Sequence, residues 1–253
     1  MEDEEVIWGR NAVLEALRGQ RPLRRVMLAQ GVHATGTLGA VLVAAEAAGV
    51  PVQRVPREAL DRLCGSSHHQ GVAAVGAAYR YATLDDILAT AQARGEEPLV
   101  LALDSLQDPQ NFGSLLRTAE AVGVHGVIVP KHRAVGLTAA VAKASAGAIE
   151  HIKAARVTNL VRTLEELKER GLWVAGVDMA GRQAYDEADL RLPLVLVVGG
   201  EGRGLSRLVK EKCDLTVRLP MRGHVASLNA AVAGAIVLYE AWRQRERGKR
   251  AAS

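Results

Sequence analysis

The sequence predicts an α/β protein built on a parallel sheet, preceded by a smaller α/β unit. Three observations lead to this fold class. From residue 98 onward, short apolar runs without polar alternation are separated by helical segments, which is typical of buried parallel strands joined by helices. The 253 residues, 49% of them hydrophobic, suffice for a sizeable core. The first 80 residues show a shorter alternation of helical and strand patterns of their own.

The N-terminal unit spans residues 9–78 in our interpretation. Apolar residues at helical spacing predict its helices, and an alanine-rich one ends at Gly49, a normal stop signal. Short apolar runs predict its strands. The helices are predicted over 11–17, 38–48 and 57–63, and the strands over 25–29, 52–55 and 71–78.

A polar, acidic stretch over residues 80–97 separates this unit from the apolar runs that follow. One Arg against four Asp and Glu gives residues 81–97 a charge of −3. We interpret the stretch as a linker with one amphipathic helix. Beyond it, strands are predicted over 99–104, 126–130, 151–155, 172–178, 194–200 and 215–220, and a last helix over 226–246. The predicted division is therefore 1–79, 80–97, 98–247 and a basic tail end at 248–253.

Composition excludes several classes of protein. No apolar stretch approaches the roughly 18 residues that a membrane-spanning helix needs, and the chain begins with acidic residues 2–5 rather than a basic and apolar signal. Cys64 and Cys213 are too few for a disulfide framework. We therefore expect a soluble, cytoplasmic protein without a membrane partner. The aromatic fraction of 3% disfavours a row of rings that stack on nucleic-acid bases.

The first loop with candidate functional residues covers Asp104–Gly123. Pro109 and Gly113 shape a turn before a helix, and Asn111 is the expected N-cap of that helix. Arg117 would then lie in the second helical turn, where an arginine near a helix N-terminus favours anion binding. The alternative is a simple capped helix in which Arg117 pairs with Glu120 or another neighbouring acid.

The second loop, Val198–Ser206, places four glycines after an apolar strand, so the backbone makes a tight turn that another group approaches closely. The spacing of Gly200, Gly202 and Gly204 suggests a dinucleotide fingerprint. That fingerprint belongs in the first strand–helix turn of a domain, with an acid about 20 residues later. A P-loop is excluded because no Lys-Ser or Lys-Thr pair follows. A dinucleotide-dependent oxidoreductase is therefore a weak alternative.

The third loop, Leu219–Asn229, leads into an apolar helix. Ser227 and Asn229 are candidate caps of that helix, in which case Leu228 is an ordinary core residue. Each loop is ambiguous alone, but their order at three predicted strand ends is specific.

Together the three loops resemble the signature motifs of the SpoU (TrmH) family of RNA 2′-O-methyltransferases in the SPOUT superfamily. The motifs are Asn-x-Gly with an Arg six residues after the Asn, a glycine-rich turn with a Glu, and Pro-Met-x-Gly followed by Ser-Leu-Asn. The matching residues are Asn111, Gly113 and Arg117; Gly199, Gly200, Glu201, Gly202 and Gly204; and Pro220, Met221, Gly223, Ser227, Leu228 and Asn229. Residues 8–17 and 67–74 also look like the substrate-binding domain of bacterial 23S rRNA guanosine-2′-O-methyltransferases.

The resemblance implies a SPOUT methyltransferase domain with a deep trefoil knot, S-adenosylmethionine as cofactor, and a homodimer with its active site at the subunit interface. The adenosine end of the cofactor would be held by backbone around Gly199, Leu219 and Leu228. The implied cofactor-binding residues are Gly199, Gly200, Gly202, Leu219, Met221 and Leu228. The implied catalytic residues are Asn111, Arg117, Glu201, Ser227 and Asn229.

The implied reaction is displacement of a sulfonium methyl group by a ribose 2′-hydroxyl, which needs no metal. The residue that the family uses as the proposed proton acceptor matches Arg117. Because a guanidinium stays protonated in proteins, we expect Arg117 instead to hold the target phosphate and make the hydroxyl more acidic.

Candidate RNA contacts also lie outside these motifs. Residues 242–250 carry five basic groups and one acidic group, and would attract phosphates, the alternative being a frayed, solubilising terminus. We expect no metal, because Cys213 and His224 do not complete a ligand set around Cys64 and its neighbouring histidines. The weaker RNA-contact candidates are Arg10, Arg24, Arg25 and His69.

The leading hypothesis is a ribose methyltransferase acting on a guanosine of 23S rRNA. A ribose methylase of tRNA or of another rRNA site is one alternative. A noncatalytic RNA-binding factor of ribosome assembly with the same fold is the other.

Overall fold

The computed structural model describes residues 4–19, 21–132, 134–225 and 227–252. Glu2 and Asp3 of the acidic start, Ala226 of the predicted last helix, and Ser253 of the tail lie outside the described residues. By its internal contacts the chain forms two compact units. The first comprises Met1–Arg80 and Leu137–His151, and the second comprises Tyr81–Gly136 and Ile152–Ser253.

The secondary-structure elements alternate along the described residues. The strands are β1 (Glu4–Trp8), β2 (Leu23–Ala29), β3 (Val52–Val55), β4 (Val72–Ala77), β5 (Leu99–Asp104), β6 (Gly126–Pro130), β7 (Ala154–Val157), β8 (Trp173–Val177), β9 (Gln183–Ala184), β10 (Leu194–Gly199) and β11 (Leu215–Arg218). The α-helices are α1 (Arg10–Arg18), α2 (Thr37–Ala47), α3 (Arg57–Cys64), α4 (Leu84–Arg94), α5 (Pro109–Ala121), α6 (Ala139–Ala144), α7 (Leu160–Glu169), α8 (Arg207–Lys212) and α9 (Ala230–Ala252). A 3₁₀ turn covers Ala148–Glu150.

The first unit is a four-stranded sheet in the order β1-β4-β2-β3, covered by α1 and α2. Strand β4 runs antiparallel to both of its neighbours, whereas β2 and β3 are parallel. The three predicted helices and three predicted strands are confirmed to within two residues at each end. Strand β1 was not predicted, because its sequence EEVIW begins with charges that suggest an exposed start.

The segment Leu137–His151 packs within the first unit, although it lies far along the chain. The Lys143 ammonium lies 4.6 Å from the centre of the Trp8 ring, and His151 Nε2 lies 2.7 Å from a Glu15 carboxylate oxygen. The predicted domain division lacks this feature and otherwise stays a prediction.

The second unit is a seven-stranded, fully parallel sheet in the order β7-β6-β5-β10-β8-β11-β9. The predicted parallel sheet is therefore confirmed, and five of its predicted strands agree to within two residues. The strand predicted over 151–155 is displaced, because the 3₁₀ turn before it ends the helical region only at Glu150 and β7 begins at Ala154. The two-residue β9 was not predicted.

The predicted linker is, from Tyr81 onward, part of the second unit. Its helix α4 begins with a capping box, in which Thr83 and Asp86 satisfy each other's backbone amides. Ile87 is buried in the core of the sheet, directly over Gly126, where a Cβ atom would lie 2.4 Å from the Ile87 side chain. The acidic composition therefore marks the outer face of a packed helix.

Helix α9 runs without interruption to Ala252, so the predicted boundary between residues 247 and 248 falls inside one helix. Arg245 donates hydrogen bonds to the carbonyl oxygens of Glu97, Pro98, Leu190 and Leu192. Most basic groups of the predicted tail are thus bound within the protein: Arg243 pairs with Glu240, and Lys249 pairs with Glu96 and Glu246. The segment is therefore helical and not frayed, and its five cations are not all available to a ligand. Arg247 and Arg250 are exposed.

In the part of the chain that the structure describes, no helix combines the length and apolarity required to cross a bilayer.

Candidate cofactor and catalytic site

The three predicted loops meet at the carboxyl edge of the parallel sheet, where ligands bind in such folds. They follow β5, β10 and β11. The loops after β10 and β11 line a cavity of about 470 Å³, and the loop after β5 is joined to them by hydrogen bonds. That volume lies in the usual range for sites that bind small molecules. All six predicted cofactor residues and three predicted catalytic residues line it: Gly199, Gly200, Gly202, Leu219, Met221, Leu228, Glu201, Ser227 and Asn229.

The glycines of the second loop are required by close backbone approach. A Cβ atom at Gly199 would lie 2.2 Å from the carbonyl carbon of Gly204. One at Gly200 would lie 2.4 Å from the carbonyl oxygen of Ser105. Gly202 and Gly204 adopt positive φ angles of 76° and 62°, which side chains disfavour. At its glycines the loop therefore presents only backbone to the cavity, while Glu201 and Arg203 contribute side chains.

A buried carboxylate joins the first loop to the second. Asp104, at the end of β5, accepts a hydrogen bond from the backbone amide of Ser206 at 2.6 Å and one from the Ser105 hydroxyl at 3.2 Å. Ser105 itself adopts a positive φ of 65°, which places its carbonyl oxygen against Gly200. The sequence motifs do not predict this role for Asp104, for which the only signal is an acid at the end of an apolar run.

A chain of side-chain hydrogen bonds connects all three loops. The amide nitrogen of Asn229 donates to Asn111 Oδ1 at 2.9 Å, and the amide nitrogen of Asn111 donates to the Glu201 carboxylate. Asn229 Oδ1 accepts from the backbone amides of Ala231 and Val232 at 2.9 and 3.2 Å. Asn229 therefore caps α9, as one of the two interpretations held, while also contacting Asn111.

The prediction that Asn111 caps helix α5 is wrong. The helix begins earlier, at Pro109, and the Asp108 carboxylate accepts from the Asn111 backbone amide at 2.9 Å. The predicted turn is wrong as well, because Pro109 and Gly113 both lie within the helix. A proline is favoured at the first helical position because it has no amide hydrogen to satisfy there. The displaced cap leaves the Asn111 side chain available to Glu201.

Arg117 does not join this cluster within one chain. Six residues along an α-helix correspond to a rise of about 9 Å and a rotation well away from the starting face. Arg117 is exposed, does not line the cavity, and forms neither an ion pair with Glu120 nor any hydrogen bond among the described residues. The predicted pairing with Glu120 is therefore absent from the described structure.

Two further expectations about the third loop are settled by exposure. Leu228 retains 40% of its accessible surface, so the alternative that it is an ordinary core residue is wrong. Ser227 is exposed and lines the cavity, and Asn229 alone of the two candidate caps bonds to the first-turn amides described for α9.

Some residues of the cavity were not predicted. Val177 ends β8, whose neighbour in the sheet is β10, and Asp178 and Met179 follow it. All three line the cavity together with Arg203. No motif marks the end of β8, so only the strand order reveals that it borders the glycine turn.

Among the weaker RNA-contact candidates, His69 must be corrected. Its side chain is fully buried, with Nδ1 accepting from the Gly71 amide at 3.0 Å and Nε2 lying 3.1 Å from Asp61. Arg24 is 67% exposed and pairs with Glu4 at 2.5 Å, whereas Arg25 is half-buried. Arg10 is exposed, and its Nε donates to the Gln70 carbonyl oxygen at 3.2 Å.

Burial disfavours the thiolate form of both cysteines. Burial raises the pKa of Cys64 and of Cys213 to about 11, with the carboxylates of Asp61 and Asp214 adding to the effect at each site. No group of three or more His, Cys, Asp or Glu side chains suited to a metal ion occurs in the described ranges of the chain.

Comparison with known proteins identifies relatives over almost the whole chain. A protein of Bacillus subtilis (strain 168), YacO, named as a TrmH family tRNA/rRNA methyltransferase, is 50% identical over 244 residues, 96% of this chain and 97% of that protein. The structure of the SpoU methyltransferase AviRb from Streptomyces viridochromogenes, in complex with AdoMet, superposes with a TM-score of 0.80 at 27% identity. That alignment covers 97% of this chain and 92% of AviRb.

A second solved structure, the AdoMet-bound rRNA methyltransferase from Sinorhizobium meliloti, gives a TM-score of 0.76 at 26% identity, covering 95% of this chain and 87% of that one. Residues 6–82 match the family model described as RNA 2′-O ribose methyltransferase substrate binding. Residues 98–239, more than half of the chain, match the SpoU rRNA Methylase family. The chain is therefore a methyltransferase that belongs to the SpoU family.

Proposed function

We propose that this protein transfers a methyl group from S-adenosylmethionine to a ribose 2′-hydroxyl of RNA, with a guanosine of 23S rRNA as the preferred target. The observation that carries the proposal is a glycine-walled cavity bordered by the bonded group Asn229, Asn111 and Glu201. In the transfer, the carbon–sulfur bond of the sulfonium breaks, a carbon–oxygen bond forms, and the hydroxyl proton leaves.

The residues present fit the cofactor. Gly199, Gly200 and Gly202 keep their part of the wall free of side chains, and Leu219 and Leu228 add apolar surface for a purine. When bound there, S-adenosylmethionine supplies a methyl group on a positively charged sulfur. The carboxylate of Glu201 offers negative charge to that cationic end, because in the described part of the chain it has no cationic partner.

The bonded group fixes the direction of both amides. Asn229 Oδ1 accepts a hydrogen bond from a backbone amide at the start of α9, so the side-chain nitrogen of Asn229 must donate to Asn111 Oδ1. The side-chain nitrogen of Asn111 is then left to donate to Glu201. Glu201 thus keeps a defined orientation with one oxygen available to a ligand. Such preorganisation favours alignment of reacting groups without reordering them during the reaction.

The test of the reaction is a calorimetric titration with S-adenosylmethionine, followed by ribose-methylation mapping of total RNA with and without the gene. We expect micromolar-range binding and the loss of methylation at a single guanosine of 23S rRNA. Loss of methylation at a tRNA or at another rRNA site would change the proposed RNA target but leave the proposed reaction intact. Absence of cofactor binding would instead favour a noncatalytic RNA-binding factor.

For Arg117, we propose that the guanidinium holds the phosphate next to the target ribose and makes its hydroxyl more acidic. Its exposure and its lack of described partners leave all of its donors for a ligand. Arg117→Ala should lower kcat by about 100-fold or more, and Arg117→Lys should restore much of it because a phosphate accepts either cation. If Arg117→Lys is inactive and the pH dependence of the wild-type rate shows a group that titrates near neutrality, the result would favour Arg117 itself as the base.

We also propose a homodimer in which α9 supplies the interface. Val232, Tyr239 and Trp242 lie on one face of this helix and keep 48%, 50% and 43% of their surface exposed. An exposed apolar stripe of this kind marks a protein contact. A dimer also explains why Arg117 lies away from the cavity of its own chain, since it would serve the cavity of the partner.

Mixing two inactive variants tests this arrangement. If Arg117 acts across the interface, Arg117→Ala and Glu201→Ala protomers should together form a heterodimer with one intact site, giving about a quarter of wild-type activity at equal amounts. Activity that stays near zero in a mixture shown by mass spectrometry to contain heterodimers would place both residues in one protomer's site. Trp242→Glu should shift the protein to a monomer in sedimentation experiments.

Three further features stay proposals. A knotted C-terminal segment is supported by the match of residues 98–239 to the SpoU family. A separate RNA-binding unit is supported by the match of residues 6–82. A cytoplasmic location is supported by the RNA substrate.

A further inference from the structure

Asp178 occupies the carboxyl end of β8, beside the glycine turn. Strands β8 and β10 are parallel neighbours, with Val177 opposite Val198, so Asp178 follows directly where Gly199 begins the turn. Its side chain is 14% exposed and lines the cavity. In dinucleotide-binding sheets, a carboxylate near a glycine turn accepts hydrogen bonds from ribose hydroxyls, and the strand order here creates a comparable juxtaposition without the sequence fingerprint.

The backbone of Asp178 ties it to one end of the cavity. Its amide donates to the carbonyl oxygen of Val217 at 2.9 Å, two residues before Leu219. The bonded group of Glu201, Asn111 and Asn229 instead involves the glycine turn and the start of α9. Asp178 therefore belongs with the Leu219 part of the wall, where the proposed cofactor places its nucleoside.

Asp178 and Glu201 differ in whether a cation lies beside the carboxylate, and this difference suits them to different ligand groups. Asp178 Oδ2 lies 2.9 Å from the Lys210 ammonium, and Oδ1 accepts from the Ala180 amide at 2.8 Å. Its negative charge is therefore compensated, yet each oxygen retains one acceptor position. A compensated carboxylate suits neutral hydroxyl donors. Glu201, without a cationic partner among the described residues, suits the cationic end.

We propose that Asp178 is a specificity-determining residue that accepts hydrogen bonds from the vicinal hydroxyls of the cofactor's ribose, and that Lys210 is a positioning residue that orients it. This inference rests on the proposed function, because it names a contact to the same cofactor. The alternative is that Asp178 only closes the turn to Gly181, whose amide donates to the Asp178 carbonyl oxygen at 3.0 Å.

The experiment is a calorimetric titration of the full chain with S-adenosylhomocysteine, its 2′-deoxy and 3′-deoxy analogues, and the analogue with hypoxanthine in place of adenine. The variants are Asp178→Asn and Asp178→Ser, since both side chains retain a cap for the turn. Asp189→Asn is the matched control, because Asp189 pairs with Arg191 and does not line the cavity.

We expect the wild type and Asp189→Asn to bind each deoxy analogue about 10-fold more weakly than S-adenosylhomocysteine, which is a typical value for one lost hydrogen bond to a charged group. Both Asp178 variants should bind S-adenosylhomocysteine more weakly and discriminate the deoxy analogues by less than about two-fold. Their preference against the hypoxanthine analogue should match that of the wild type.

Several outcomes would overturn the inference. A wild type that binds the deoxy analogues as well as the parent excludes the contact regardless of the variants. Variants that lose affinity for all ligands by the same factor assign Asp178 a structural role. Discrimination lost only against the hypoxanthine analogue moves the contact to the adenine amine. A wild type that binds no S-adenosylhomocysteine at all refutes the proposed function itself.

Discussion

At the scale of single residues, the hydrogen bonds of a buried side chain can fix its protonation state. His125 shows this well: its Nδ1 accepts from the Leu99 amide at 2.9 Å, so Nε2 carries the hydrogen and donates to Glu96 at 3.1 Å. The ring is almost fully buried and must be neutral to accept from Leu99. Burial lowers the pKa of His125 below its ordinary 6.5, against the opposing effect of Glu96.

This shift predicts a pH dependence of stability. The unfolded chain binds the proton at a higher pH than the folded protein does, so the free energy of unfolding should fall as the pH drops below about 6.5 and continue falling to the lower folded pKa. His125→Asn keeps an acceptor for Leu99 but does not titrate. We expect it to flatten the dependence measured by urea unfolding between pH 7.5 and pH 5.

The control for this measurement is His132→Asn, because His132 is an exposed histidine of the same unit. It should leave the slope unchanged. Equal slopes in wild type and His125→Asn would show that the proton uptake occurs elsewhere.

At the scale of elements, helix α9 is held at both of its ends. Asn229 caps its first turn, and in its second turn Gly234 packs against Leu115 of α5 and Val198 of β10, where a Cβ atom would lie 2.9 Å from each. Toward the C-terminus, Arg245 donates to four backbone carbonyl oxygens, two before β5 and two before β10. Burial lowers the pKa of the Arg245 guanidinium, which its nearby carboxylates oppose.

Removing this anchor should weaken the fold. Arg245→Ala removes this donor from the partly buried carbonyl oxygens of Leu190 and Leu192 and leaves that of Pro98 with only the Leu194 amide, so we expect a loss of about 2–4 kcal/mol in the free energy of unfolding. Arg245→Lys should recover only part of it, because one ammonium cannot reach four acceptors with the geometry of a guanidinium. Arg247→Ala, exposed on the same helix, should change stability by less than about 0.5 kcal/mol. Denaturant titration of the three variants distinguishes an anchor from a frayed end.

At the scale of the whole molecule, residues far apart in the chain complete the first unit. The Arg21 and Glu150 side chains are 6% and 4% exposed, and their charged atoms lie 3.2 Å apart. Arg21 also contacts Glu5 at 3.0 Å, so one guanidinium joins β1, the residues before β2, and the 3₁₀ turn. Glu150 Oε1 has no hydrogen-bond partner within the described residues, and burial raises the pKa of this carboxyl group.

This pair should couple Leu137–His151 to the N-terminal residues. Glu150→Ala leaves Arg21 partly unpaired in a buried position, and we expect a loss of about 2 kcal/mol or more. Hydrogen exchange should rise together in α1 and in residues 137–151, while β8 and β10 remain protected. Glu46→Ala, an exposed acid on α2, is the control. Faster exchange in residues 137–151 alone, with α1 unchanged, would contradict the coupling.

The sequence by itself determined the parallel sheet, most strand positions and, through its three motifs, nine of the residues that line the cavity. Continuous apolar runs such as 99–104 and 194–200 specify buried strands because every position on them faces a covered surface. The glycine cluster that begins at Gly199 and Gly200 predicts a tight turn, because glycine is favoured where another group approaches the backbone closely.

Other features were decided by tertiary structure alone. The order of strands places Asp178 beside the glycine turn, and the folding of Leu137–His151 onto the first unit could not be read from local pattern, because both depend on contacts between residues distant in sequence. His69 and Arg245 look like exposed polar groups in the sequence, yet the structure buries one and bonds the other to carbonyl oxygens. Burial is a property of the packed chain, and it separates a structural polar residue from one that is available to a ligand.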